Sequence, residues 1–306
     1  MRAQTPARPT RRSSVRPWRA VLGAAVMAVA LGAGQAAGDA VIRWAGLAGF
    51  PARLVPALLV AGIAVPLVLA LRRRDGAPAA RLGLTGPREA TQGFVLGVAV
   101  VAGAAAVVFG AGTAAGWLRW SGLDPGALLA FLATNAVVAV LLEAMPEELS
   151  LRGYTWGTLR ERYGPARTGL LTTALFVAVP GAASAVNAAV TWACGGDPGP
   201  IGPAPAGEDP IAYVVLLLVF GFMLVTARTA TVSATIWTCV GAHLTFLTVN
   251  RVTLFGGERQ AGWSADLVTA DAILLVPVYV LLAAAGFVVV GRLLRRAANP
   301  ARAGQP

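Results

Sequence analysis

Apolar residues come in eight long runs along this chain, and the polar residues are confined to the stretches between them. The runs extend from Trp18 to about residue 37, then over about 52–71, 91–113, 127–145, 167–190, 211–228, 231–250 and 270–292. Each approaches the ~20 residues a helix needs to cross the hydrocarbon core of a bilayer. The pattern predicts an all-α, polytopic membrane protein with about eight transmembrane helices. The basic residues agree. With the N-terminus inside, twenty arginines fall on the cytoplasmic side and five (Arg43, Arg53, Arg119, Arg251 and Arg259) on the other, the asymmetry that orients membrane proteins. An even number of spans then leaves both termini cytoplasmic.

Composition removes the competing classes. Of the 306 residues, 57% are hydrophobic and 13% charged, and mean hydropathy is +0.68, which excludes an ordinary soluble globule. All 25 basic residues are arginine, giving a formal charge of +11. They lie between apolar runs rather than on a basic face with aromatics, so nucleic acid is not the expected partner. No glycine-rich phosphate loop or Walker motif occurs, so no nucleotide is expected either. Cys194 and Cys239 are too few and too far apart for a disulfide framework or a metal knuckle.

Residues 1–17 read as a disordered, basic cytoplasmic leader. The first apolar run, with small residues after it, has some features of a signal peptide. Its length and the spans that follow favour a retained first helix. The Pro/Gly-rich segment 194–210 lacks basic residues, as an extracytoplasmic connector should.

Charge inside the apolar runs is where chemistry is expected, because a charged side chain at the bilayer centre costs roughly 2.5–3.5 kcal/mol on insertion scales. The densest cluster is EAMPEELSLRGY at 143–154. Glu143 and Glu147 are four apart and share a helix face, as do Glu148 and Arg152. Pro146 removes a backbone donor, so the helix is expected to kink or restart there, and a restart would place Glu147 and Glu148 in a first turn favourable to negative charge. The fifth run carries Pro180, Ser184 and Asn187. The seventh carries His243, the chain's single histidine, with Asn250 two turns on along one face. A carboxylate that activates water, opposite an imidazole or amide that binds an oxyanion, is the inventory for hydrolysing a peptide bond without a covalent intermediate. A metal is not expected, since neighbouring carboxylates on a helix point apart and zinc wants three protein ligands. No cofactor is called for.

The segment EELSLRGY resembles the EExxxR motif, followed by Gly-Tyr, of the CPBP membrane proteins. These include the type II CAAX prenyl proteases and bacteriocin-processing or immunity proteins. The fifth run and GFMLVTARTATVSATIWTCVGAH at 221–243 extend the resemblance over residues 125–251. That divides the chain into the leader, three N-terminal helices (18–124), a CPBP-like core (125–251), a last helix (252–296) and a tail (297–306). The resemblance implies that Glu147 activates water, that Glu148 and Arg152 support it as an ion pair, and that His243 belongs to the site. Two positions depart from the pattern. FxxxH reads Phe176 to Pro180, and the amide position of HxxxN is Leu247, with Asn250 one turn further on.

Two functions follow. One is an intramembrane glutamic endopeptidase in the plasma membrane that cuts a membrane-embedded or lipidated peptide near the cytoplasmic face. The other is a catalytically inactive family member, a membrane scaffold or immunity-type protein, motivated by Pro180 and Leu247. A transporter using Glu143 and Glu147 as proton carriers is disfavoured because inverted repeats are not evident.

Overall fold

The computed structural model describes residues 17–298. The leader lies outside them except for Pro17, as does the tail beyond Ala298. Eight long helices follow one another: α1 (Ala20–Ala45), α2 (Gly49–Arg74), α3 (Pro87–Ala114), α4 (Pro125–Arg160), α5 (Pro165–Ala193), α6 (Pro210–Arg228), α7 (Trp237–Thr253) and α8 (Leu275–Ala298). Seven are long and apolar enough to cross a membrane. The chain is a multi-pass membrane protein.

The exception, α7, has 17 residues and begins at Trp237, six residues later than its apolar run implies. Residues 229–236 turn instead, with Ala234 at φ 46°, because they dock on the α2–α3 connection. Ile236 N–H donates to Gly83 O at 3.1 Å, and the Thr235 hydroxyl donates to the same carbonyl at 3.2 Å. A short antiparallel pair, β1 (Leu118–Trp120) and β2 (Ala265–Leu267), joins the α3–α4 and α7–α8 connections. No period-2 pattern announces it, since three residues are too few.

One end of the bundle holds Arg72, Arg73 and Arg74 in the last turn of α2, Arg81 and Arg162 in the connections, and Arg228 at the end of α6. There Tyr154 donates to Asp75 at 2.8 Å, Asp75 pairs with Arg19 at 2.6 Å, and Arg81 pairs with Glu161. The opposite, Arg-poor end carries the β1–β2 pair, the 194–209 connection and the α7–α8 connection.

Helix α7 is fixed by backbone-to-backbone contact with α3. A Cβ on Gly97 would lie 2.2 Å from Thr238 O, and one on Gly241 would lie 2.3 Å from Phe94 O. Only glycine allows two helices this close, and the contact sets the height of His243, two residues further along. The lower part of α4 is held against α1 in the same way. A Cβ on Gly23 would meet Thr155 Oγ1 at 2.3 Å, and the Thr155 hydroxyl donates to Ala20 O at 2.8 Å.

Candidate functional site

Helix α4 supplies the carboxylates, and its backbone is unusual where they sit. It does not restart at Pro146: Ala144 (φ −61°) and Met145 (φ −79°) are ordinary helical residues. The missing donor of Pro146 is accommodated by widening the ladder. Val140–Ala144 and Glu148–Thr155 are π-helical, and Met145 N–H reaches back five residues to Val140 O. The expected first-turn dipole effect on Glu147 and Glu148 is therefore absent, because the helix has no terminus there.

The widened segment sends its two adjacent carboxylates in different directions. Glu147 lines a cavity of about 750 Å³, together with Glu143, His243 and Arg251. Glu148 lies behind the cavity wall, fully buried, where Oε1 accepts from Arg152 Nη1 at 3.2 Å and meets His243 Nδ1 at 2.9 Å. An ionised carboxylate only accepts, so Nδ1–H donates to it and Nε2 is left as the ring nitrogen toward the cavity. Phe220 fixes the ring edge-on, with centroids 4.9 Å apart. The Arg152 guanidinium, also fully buried, stacks 4.4 Å over the Phe176 ring. Arg228 Nε bonds the Arg152 carbonyl at 3.0 Å. The cluster thus sits inside the bundle.

Three sequence-derived candidates, Glu147, Glu148 and His243, come together with Arg152. Asn250 does not join them. Along α7 the i, i+4 row from His243 drifts about 40° per step. It leads through Leu247 to Arg251, and both of these line the cavity. Asn250 falls to the other side of that row and interacts with Tyr279 of α8. Ser184 and Asn187 line the cavity but are already engaged. The Ser184 hydroxyl binds Gly202 O at 3.0 Å, and Asn187 donates to Gly32 O at 3.3 Å. Both positions that depart from the CPBP pattern, Pro180 and Leu247, face the cavity.

Sequence reasoning missed a second polar network one level higher. Arg251 pairs with Glu143 and donates to Asn135 Oδ1 at 3.1 Å, while Asn135 Nδ2 donates to Thr248 Oγ1 at 3.1 Å. It ties α4 to α7 above Glu147. Asn135, buried in the middle of the fourth apolar run, was the available signal. Arg259, in the α7–α8 connection, also lines the cavity. Partial burial, and then the nearby Arg251 charge, hold its guanidinium below the ordinary value. Among the described residues, no three His, Cys, Asp or Glu side chains are arranged to hold a metal ion.

Comparison with known families agrees with this arrangement. Residues 126–249 match the family model described as type II CAAX prenyl endopeptidase Rce1-like. Over that stretch the chain is similar to the Rce1-like, CPBP-type proteins. The matched stretch runs from the start of α4 almost to the end of α7 and contains every residue of the buried cluster. No curated protein and no solved structure matches the chain. At the level of the family, the match supports a function of the CAAX-type intramembrane protease kind.

Proposed function

We propose that the protein is a working intramembrane peptide hydrolase in which Glu147 activates water. The observation that carries this reading is the division of labour around the cavity. Glu147 and His243 face the open space, while Glu148 and Arg152 stand behind them in a sealed layer. Glu147 makes no hydrogen bond to protein among the described residues, which leaves its carboxylate free for water. In the proposed reaction the water oxygen attacks the scissile carbonyl carbon and its proton passes to Glu147. The resulting oxyanion is bound by His243 Nε2–H in the imidazolium form. The C–N bond then breaks, and the departing nitrogen takes the proton from Glu147. Glu148 is a positioning residue that holds the imidazole by Nδ1–H, and Arg152 holds Glu148 in place. The substrate is a membrane-embedded or lipidated peptide, and the plasma membrane is the proposed location.

Pro180 and Leu247 support a second reading. Both face the cavity where the family pattern has a histidine and an amide, so the wall lacks two polar groups. A non-catalytic scaffold or immunity-type protein would tolerate that loss.

A survey of protein termini in membranes decides between them. A strain lacking the protein is complemented with wild type or with Glu147→Ala at matched expression. Termini that appear only with wild type are expected, and they identify the substrate. Identical termini, with the variant still rescuing any deletion phenotype, would leave the scaffold reading standing.

A further inference from the structure

The cavity is asymmetric along the membrane normal. Its lining residues on α5 run from Phe176 to Asn187, toward the Arg-poor end of that helix. On α6 they are Tyr213 to Phe220, again the Arg-poor half. Its upper wall includes Gly202 and Ala206 of the 194–209 connection and Arg259 of the α7–α8 connection. From His243 the open space follows α7 for eight residues, to Arg251, about 12 Å at the helical rise per residue. In the other direction there is no comparable opening. Leu151, Arg152, Met223, Leu224, Ile236 and Cys239 form a layer of fully buried side chains beneath Glu147 and His243.

The charge distribution gives this axis a direction. The sealed end carries the arginine excess that marks the cytoplasmic side, and the connections at the open end are basic-poor. We infer that the cavity is loaded from the extracytoplasmic face, so that its substrate is an exported or membrane-anchored peptide presented there, not the C-terminus of a cytosolic prenylated protein. The inference rests on the hydrolase reading for the word substrate; the direction of access stands on geometry and charge alone. The occupant's chemistry follows from the walls. Phe176, Leu216, Leu217 and Phe246 suit an apolar segment near the floor, and Arg259 suits an acidic or carboxylate group near the mouth.

The two ends of α5 provide the test. Cys194, exposed just past its open-side end, is a native reporter, and Cys239 is buried. Full-length protein in intact cells is treated with a negatively charged, membrane-impermeant methanethiosulfonate. Three forms are compared: wild type, Cys194→Ser with Ala166→Cys at the sealed-side end of α5, and Cys194→Ser with Leu247→Cys in the cavity wall. Reaction at Cys194 and at position 247 is expected without permeabilisation, and reaction at position 166 only after it. The reverse pattern would overturn the inference and leave the hydrolase reading intact. So would a cysteine at 247 that is silent from outside while Cys194 reacts. Loss of Glu147-dependent termini in the survey above would remove the hydrolase reading without touching the direction of access.

Discussion

The ion pair behind the cavity makes the sharpest energetic prediction. Replacing Glu148 by alanine leaves Arg152, which is fully buried, without its carboxylate. Only Arg152 Nη1 bonds Glu148, while Nε and Nη2 have no protein hydrogen-bond partner among the described residues, and Arg228 is a second buried cation bonded to the Arg152 carbonyl. His243 Nδ1–H also loses its acceptor. Removing one member of a buried pair costs about 3–5 kcal/mol because the survivor keeps its desolvation penalty. At ~1.4 kcal/mol per decade that is a shift of about two to four decades in the folded-to-unfolded ratio. The double variant Glu148→Leu/Arg152→Met replaces both charges by apolar groups of similar size and should lie close to wild type. Reversible unfolding in mixed micelles, followed by tryptophan fluorescence, measures all three proteins. A single variant that costs less than about 1 kcal/mol would refute the claim that this pair is sealed from water. A double variant as unstable as the single one would refute the attribution of the loss to an orphaned cation.

Two further outcomes follow from the same geometry. Restoring the family pattern with Pro180→His and Leu247→Asn should raise the rate of Glu147-dependent cleavage. The amide alone should contribute about 10²–10³, the usual effect of one oxyanion donor, as read on a peptide derived from the terminus survey. An unchanged rate would show that these walls do not face the reacting carbonyl. Gly97→Ala places a methyl group 2.2 Å from Thr238 O and should force α3 and α7 apart. The expected cost is about 1–3 kcal/mol in the micelle assay, with loss of activity exceeding loss of fold because His243 moves with α7. Full activity in that variant would show that the close pass does not set the position of the histidine.

The spans and the acidic cluster were legible in the amino-acid order because both depend on local rules. An apolar run of about twenty residues has few options in lipid other than a helix, and charges four apart share a face wherever the helix is placed. Pro146 announced a disturbance in α4, but not its form. Whether a missing backbone donor yields a restart or a π-turn depends on what packs around it, and here the ladder widens into π-turns. The separation of Glu147 from Glu148, the first into open space and the second onto His243 Nδ1, needed α7 at a height that Gly97 and Gly241 set by contact between distant parts of the chain. The same holds for Arg251, which reads as a loop-end arginine in sequence and becomes the partner of Glu143 only when α4 and α7 are side by side. Asn250 looked like a reserve amide for the cavity because two turns of helix return nearly to the same face. Which side of that face meets the cavity, that of Leu247 and Arg251 rather than that of Asn250, is fixed by the helices around it. Sequence thus determined the apolar helices and the supply of ionisable groups. Tertiary structure decided which of them meet, and that their cavity opens at the Arg-poor end, because cavities are made by elements that never touch in sequence.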